Sequence, residues 1–288
     1  MKGIIWLASY MKSGNTWVRV FLENYRQNLS VPVSINSLEI PVASDRELLD
    51  NCLGIESSDF SNNEIDRFRS EMYLYLARQR KEKFFLKVHD CYSICEGPGE
   101  QKFMFPAEAT YKAVYIIRNP FEVAISMSNY YDMDIDKTIE QMSNPDFTLA
   151  GDQNKLHSQL RQKIGTWSQH VESWIDLNSF PLLMVRYEDM KFDALNIFSG
   201  ILDFTGFSID RLRLEKSTRF SSFDELKKQE TKDGFIENSS AVSLFFRKGA
   251  SENWRSVLKS EQVNKIVHNH SRVMIRVGYL SASGEILC

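Results

Sequence analysis

The sequence predicts an α/β fold in three layers, a central parallel sheet with helices on both faces, and three observations carry that prediction. Short apolar, β-rich runs recur at Gly3–Ser9, 84–88, 113–117 and 182–185. Stretches with apolar residues at helical spacing separate them, which is what parallel neighbours require, since each pair needs a crossover connection. With 43% hydrophobic and 12% aromatic residues, the 288-residue chain can fill one large core, which excludes a disordered or fibrous protein. A single domain spanning 1–288, with loop insertions, is the expected organisation.

The first run meets a polar Lys/Ser/Gly turn, after which Thr16, Val18, Phe21, Leu22 and Tyr25 follow at helical spacing. Residues 31–63 are rich in Ser, Asn and Asp and read as a loop; 64–80 read as a helix feeding the run at 84–88. The run at 113–117 leads into a helix opened by Pro120. Residues 144–154 read as a second loop and 155–177 as a helix, while the last run leads into a helix at 192–204. Residues 230–251 read as a third loop and 260–277 as a closing helix. The three loops are candidate lids, and ligands of such sheets sit at the carboxyl ends of the strands.

The balance of 35 basic against 38 acidic residues, net −3, gives no global reason to bind nucleic acid or an anionic membrane. No apolar run approaches the roughly 18 to 20 residues of a membrane-spanning helix, so a cytoplasmic protein is expected. The four cysteines, at 52, 91, 95 and 288, suit small core thiols in a reducing compartment. His89, Cys91 and Cys95 lack the usual ligand spacing for zinc, and no metal is expected.

Chemistry is expected first at Tyr10, Met11, Lys12, Ser13, Gly14, Asn15, Thr16 and Trp17, where a strand feeds a helix. Backbone N–H groups at such a turn converge with the helix N-terminus on one point, and the Lys, Ser, Asn and Thr side chains add donors suited to a phosphate. The GxxxxGK[ST] spacing is absent, so the expected fold is P-loop-like without a Walker A loop. Taken alone, the segment serves equally as an ordinary capped helix with a surface lysine.

Further segments add weight. Arg118, Asn119, Pro120, Phe121, Glu122, Val123, Ala124, Ile125 and Ser126 follow one run; Lys87, Val88 and His89 end another. Arg186, Tyr187, Glu188, Asp189, Met190 and Lys191 follow the last, and Phe246, Arg247, Lys248 and Gly249 precede Trp254. Together with the first loop, these resemble the cytosolic sulfotransferase family, which moves a sulfuryl group from 3′-phosphoadenosine 5′-phosphosulfate (PAPS) to an acceptor and releases 3′-phosphoadenosine 5′-phosphate (PAP). The resemblance runs from residue 4 to about 258, and Trp167, Ser168, Gln169, His170, Val171, Glu172, Ser173 and Trp174 are similar to a helix of the family.

The resemblance implies that Lys12 stabilises the leaving oxygen, while Ser13, Gly14, Asn15 and Thr16 hold the 5′-phosphate. It implies that Arg118 and Ser126 reach the 3′-phosphate, with Arg247, Lys248 and Gly249 closing over it. Trp17, Tyr187 and Phe223, the last within Ser221, Ser222, Phe223, would form the adenine slot, and Phe246 and Ser221 are further cofactor-binding candidates. His89 would take the acceptor's proton, and Lys87, two residues earlier on the same strand face, would contact a sulfuryl oxygen. Lys12, His89, Lys87 and Ser126 are thus the candidate catalytic residues. A sulfuryl group carries less charge than a phosphoryl group, and a metal-free in-line displacement is implied. Histidines 157, 170, 268 and 270 are expected in core or surface roles.

The sequence departs from the family pattern at Met11, Asn15 and Glu122, and most at Ala250, Ser251, Glu252 and Asn253, where a glycine and an aspartate of the usual loop are missing. The family's dimer motif has no good copy after Trp254, so no oligomeric state is implied. The expected acceptor is a small soluble molecule. Tyr130, Tyr131, Asp132, Met133, Asp134, Ile135 and Asp136 raise a cationic, nitrogen-rich acceptor as one candidate, against a solvated acidic turn. A non-catalytic nucleotide-binding or regulatory protein on the same fold, and a kinase, are the competing readings.

Overall fold

In the computed structural model, which describes residues 2–152, 154–238, 244–246 and 254–288, four parallel strands form a central sheet flanked by helices. The strands are β1 (Gly3–Ser9), β2 (Lys83–Val88), β3 (Thr110–Ile117) and β4 (Leu182–Arg186), in spatial order β2-β1-β3-β4. Every residue of β1 is buried, as a continuous apolar run in a covered parallel sheet must be. Its register with β2 sets Gly3 opposite Lys83 and Ala8 opposite Val88. The chain leaves β1 towards β2 on one side and leaves β3 towards β4 on the other, so the switch point that favours ligand binding lies between β1 and β3.

The helices Asn62–Gln79, Pro120–Tyr131 and Ser260–Arg276 lie within two residues of the expected stretches wherever those were bounded. A capping box between Ser61 and Glu64 starts the first, and Asn119 caps the second by accepting from Phe121 N. Other expectations are corrected. The stretch 31–63 contains a helix, Arg46–Leu53, whose two turns are too short to show a period and which Asp45 caps. In 155–177 only Trp167–Ile175 is helical; Gly165, at φ 65, stops the pattern, and Gln162–Lys163 pairs instead with Thr148–Leu149. The expected helix at 192–204 is two, Tyr187–Phe192 and Ala194–Thr205, because Asp193 turns its carboxylate to cap the second. Polar helices at Ile135–Met142, Arg211–Phe220 and Phe223–Asp233, each opened by an Asp or Ser cap, were not expected, and the last occupies the start of the 230–251 loop.

The chain divides into two compact units. One comprises the segment up to Tyr10, Pro41–Tyr115 and Asn144–Met184; the other comprises Met11–Ile40, Ile116–Ser143 and Val185–Cys288. Among the described residues no helix is long and apolar enough to cross a membrane.

Candidate functional site

Most of the expected binding residues fall in the second unit. Gly14, at φ 104, opens the helix Asn15–Gln27, and among the described residues no side chain caps that end. A Cβ at Gly14 would lie 2.6 Å from Cδ2 of Tyr187, so glycine is the residue that lets the loop approach this ring. Lys12 holds φ 61, a left-handed conformation that costs a non-glycine residue roughly 1–3 kcal/mol and persists only where neighbours impose it. One such neighbour is Arg118, whose Nη1 donates to the Lys12 carbonyl at 3.0 Å across 106 positions of sequence. The Lys12 ammonium lies 4.1 Å from the ring centroid of Tyr130 and 3.6 Å from that of Phe245.

Arg118 also donates from Nη2 to Glu122 Oε2 at 3.1 Å, a pair one helical turn apart, and its guanidinium lies 4.4 Å from the Tyr187 ring centroid. Its Nε has no hydrogen-bond partner among the described residues. Asn119 N donates to Glu188 Oε1 at 2.9 Å, and Tyr279 OH donates to the other oxygen of that carboxylate at 2.9 Å. Glu188 of the Tyr-Glu-Asp-Met-Lys segment therefore ties the start of the helix Pro120–Tyr131 in place. Burial, and then the charge of Arg118, lower Lys191 from its ordinary value.

The aromatic residues gather around Trp17. It meets Tyr187 edge-on at 5.9 Å and 69°, and packs with Phe223 against a buried cluster of Val20, Ile35, Leu226, Phe235 and Phe246. Its indole Nε1 has no partner among the described residues. Asn15 and Thr16 are buried, and Ser126 is half-buried on its helix. The Ser13 hydroxyl lies 3.5 Å from the Met11 carbonyl, and Ser221 donates its hydroxyl to the Thr218 carbonyl at 3.1 Å. Arg247, Lys248, Gly249 and residues 250–253 lie outside the described residues. Both flanks of that segment are anchored: Glu230 accepts from Phe245 N and Phe246 N, and Trp254 stacks on Phe121 at 4.4 Å.

Lys87 and His89 belong to the other unit. Lys87 is buried, and its backbone donates to Pro41 O at 2.9 Å and accepts from Ala43 N at 2.8 Å. His89 Nδ1 lies 2.9 Å from Ser9 O and 3.2 Å from Ser9 Oγ. A carbonyl can only accept, so Nδ1 carries a proton. The next residue, Asp90, is fully buried and accepts from Arg69 at 3.0 and 2.7 Å and from Lys163 N at 3.1 Å. Burial raises its carboxyl above the ordinary value, against the pull of Arg69. Burial likewise pushes Cys91 to about 12 and Cys95 to about 11; of the four cysteines Cys95 is a core residue, while Cys52, Cys91 and Cys288 are half-buried.

The acidic turn is accounted for without a ligand. Asp134 accepts from Asp136 N and Lys137 N as the cap of Ile135–Met142, and Asp132, Asp134 and Asp136 are exposed. Residues the sequence did not single out for the site are Tyr130 and Phe245 at Lys12, Glu230 at the loop entry, and Ser9, Tyr115 and His170 around His89. Tyr130 was noticed only as part of the acidic turn, and Glu230 fell in a stretch read as loop. A carboxylate placed among aromatic residues there was the available signal.

Residues 2–277 match the sulfotransferase domain family. The chain belongs to that family. Among curated relatives, sulfotransferase 1A1 of Bos taurus is 29% identical over 164 residues, covering 55% of this chain and 53% of the relative. Sulfotransferase 2A2 of Rattus norvegicus is 25% identical over 172 residues, covering 57% of each. The chain thus spans about half the length of the curated relatives it matches. Among solved structures, mouse sulfotransferase SULT7A1 complexed with PAP has a TM-score of 0.57 at 21% identity, covering 95% of this chain and 85% of that one. Retinol dehydratase in complex with androsterone and PAP has a TM-score of 0.61 at 18% identity, covering 94% and 80%. These two likenesses establish a shared sulfotransferase fold.

Proposed function

We propose that this sulfotransferase-family chain transfers a sulfuryl group from PAPS to a hydroxyl or amine of a small soluble metabolite in the cytoplasm, by in-line displacement and without a metal. The observation that carries the reading is the Arg118–Lys12 hydrogen bond, which joins the two segments expected to grip the two anionic ends of one nucleotide. The donor set fits such a ligand. Among the described residues Arg118 Nε and Trp17 Nε1 are buried without partners and the helix behind Gly14 has no side-chain cap, and Gly14 leaves room for close approach to the backbone.

PAPS, when bound, supplies the sulfuryl group and an adenosine carrying two phosphates. Lys12 would stabilise negative charge on the leaving oxygen, and the backbone and side chains of Ser13, Gly14, Asn15 and Thr16 would hold the 5′-phosphate. Arg118 and Ser126 would hold the 3′-phosphate together with Arg247, Lys248 and Gly249. Trp17, Tyr187, Phe223 and Phe246, with Ser221, would receive the adenine. Nε2 of His89 would accept the acceptor's proton, and Lys87 would meet a sulfuryl oxygen. Asp134 is committed to its helix, so the acidic turn lends no weight to a cationic acceptor.

The test is a thermal shift with PAP set against ATP plus magnesium, followed by transfer of labelled sulfate from PAPS to a panel of phenols, alcohols and amines. Stabilisation by PAP, and transfer slowed by at least about 10²-fold in Lys12→Ala and His89→Ala, are expected. Preferential stabilisation by ATP with magnesium would point to a kinase, and PAP binding without transfer to any acceptor would point to a nucleotide-binding protein.

A further inference from the structure

Three residues that follow β2 are held by side chains of one helix, Trp167–Ile175. His170 Nε2 lies 2.9 Å from the carbonyl oxygen of His89, Trp174 Nε1 donates to the carbonyl of Asp90 at 3.0 Å, and Ser173 Oγ accepts from Tyr92 N at 3.0 Å. Because the His89 carbonyl can only accept, His170 carries its proton on Nε2. Its Nδ1 must then accept, and Tyr115 OH lies 2.9 Å away as the donor. The His170 ring is fully buried, tilted against Tyr115 at 5.8 Å and edge-on to Tyr10 at 5.3 Å. Burial lowers His170 to about 4 and raises Tyr115 well above its ordinary value, so both stay neutral near pH 7. The direction of donation, Tyr115 to His170 to the His89 carbonyl, therefore does not reverse in that range.

A rigid ring that donates at one end and accepts at the other is the chemistry this position uses, and packing alone does not call for it. We infer that His170, oriented by Tyr115, is a positioning residue for His89: it fixes the backbone that carries the ring, so that Nδ1 meets Ser9 O and Nε2 is presented as a proton acceptor. The inference rests on reading His89 as the base, yet it makes a claim about the ring that needs no turnover to read.

The test follows the ring nitrogens of His89 by NMR in the full chain, alongside saturation kinetics of sulfuryl transfer. His170→Leu removes both ends of the link, His170→Gln retains a donor, and Tyr115→Phe removes only the orienting hydroxyl. In the wild type and His170→Gln, the His89 proton is expected on Nδ1, whereas His170→Leu gives a mixture of tautomers. The kcat of His170→Leu should fall roughly 10- to 100-fold with KM within about twofold, the expected cost of misplacing a reacting group by an ångström or less, and His170→Gln should recover most of it. A folded His170→Leu protein whose His89 tautomer matches the wild type overturns the inference. Should that variant not fold, the tautomer in Tyr115→Phe decides in the same way. If the tautomer shifts while no variant and no wild type transfers sulfate, the positioning role stands and the proposed activity falls.

Discussion

His89 and Lys12 are held by different kinds of force. Around His89, in one unit, the contacts are directional: Nδ1 to Ser9 O at 2.9 Å, the carbonyl to His170 at 2.9 Å, and the adjacent Asp90 gripped by Arg69 and Lys163 N. Around Lys12 and Arg118, in the other unit, aromatic faces lie against the charges: Tyr130 and Phe245 for the ammonium, Tyr187 for the guanidinium. A cation–π contact contributes about 0.5–2 kcal/mol and is tolerant of angle, whereas a hydrogen bond, contributing about 0.5–1.5 kcal/mol between neutral groups and about 1.5–3 kcal/mol to a charged one, is not. On the proposed reading the Lys12 ammonium, which would meet an incoming anion, lies against aromatic faces that release it at little cost, while Arg118 is also hydrogen-bonded to the Lys12 carbonyl and to Glu122. On the same reading His89, which would present one nitrogen as a proton acceptor, is held by contacts that fix it.

The largest expected effects separate the two regions directly. His89→Ala should lower kcat by about 10²- to 10⁴-fold while leaving PAP affinity unchanged, read by steady-state kinetics and calorimetry. Lys12→Ala should lower kcat by about 10²- to 10³-fold and weaken PAP only modestly, if its charge serves the leaving oxygen as proposed. Equal losses of PAP affinity in both variants would erase the distinction.

Acid is the next probe, and it acts on the His89 region through His170. Unfolded, that side chain takes up a proton near pH 6.5; folded, it resists until about pH 4. The unfolded chain therefore binds more protons in that window, so the stabilisation is complete above pH 6.5 and is lost as pH falls towards 4, by at most about 3 kcal/mol. His270, also lowered to about 4 by burial, adds a second proton from the other unit. Urea melts at stepped pH should show His170→Gln losing stability less steeply than the wild type across that range, and identical slopes would mean that His170 titrates normally in the fold.

Arg118→Gln sharpens the comparison from the other side. It removes a charged donor from the Lys12 carbonyl and from the expected 3′-phosphate contact, so PAP should weaken by roughly 10- to 100-fold in a titration. The smallest effect is expected outside both regions. Asp134→Ala should cost about 1 kcal/mol in a thermal melt, as loss of a helix cap does, and leave the acceptor KM unchanged; a raised KM would bring the acidic turn back into the site.

Much of this was legible in the residues, and the failures have physical causes. The four strands read correctly because a strand covered on both faces must be a short, nearly unbroken apolar run, as in Gly3–Ser9. The two-turn helix Arg46–Leu53 and the polar helix Phe223–Asp233 did not, since capping and a few buried contacts define them more than a period does. Lys12, Arg118 and His89 stood out as chemically expressive residues in ordered segments. Tyr115 and His170 did not, because a buried tyrosine and a buried histidine look alike in sequence whether they fill space or direct a hydrogen bond.

The order of apolar runs and polar turns by itself determined the α/β class, the loop that opens the helix Asn15–Gln27, and the family. That information is local, carried by periodicity and by short motifs. Only the tertiary structure decided that Arg118 reaches the Lys12 carbonyl, that Tyr130 and Phe245 face its ammonium, and that His170 donates to His89. Those partners are remote in the chain, and the directions of their polar atoms exist only once the backbone has closed.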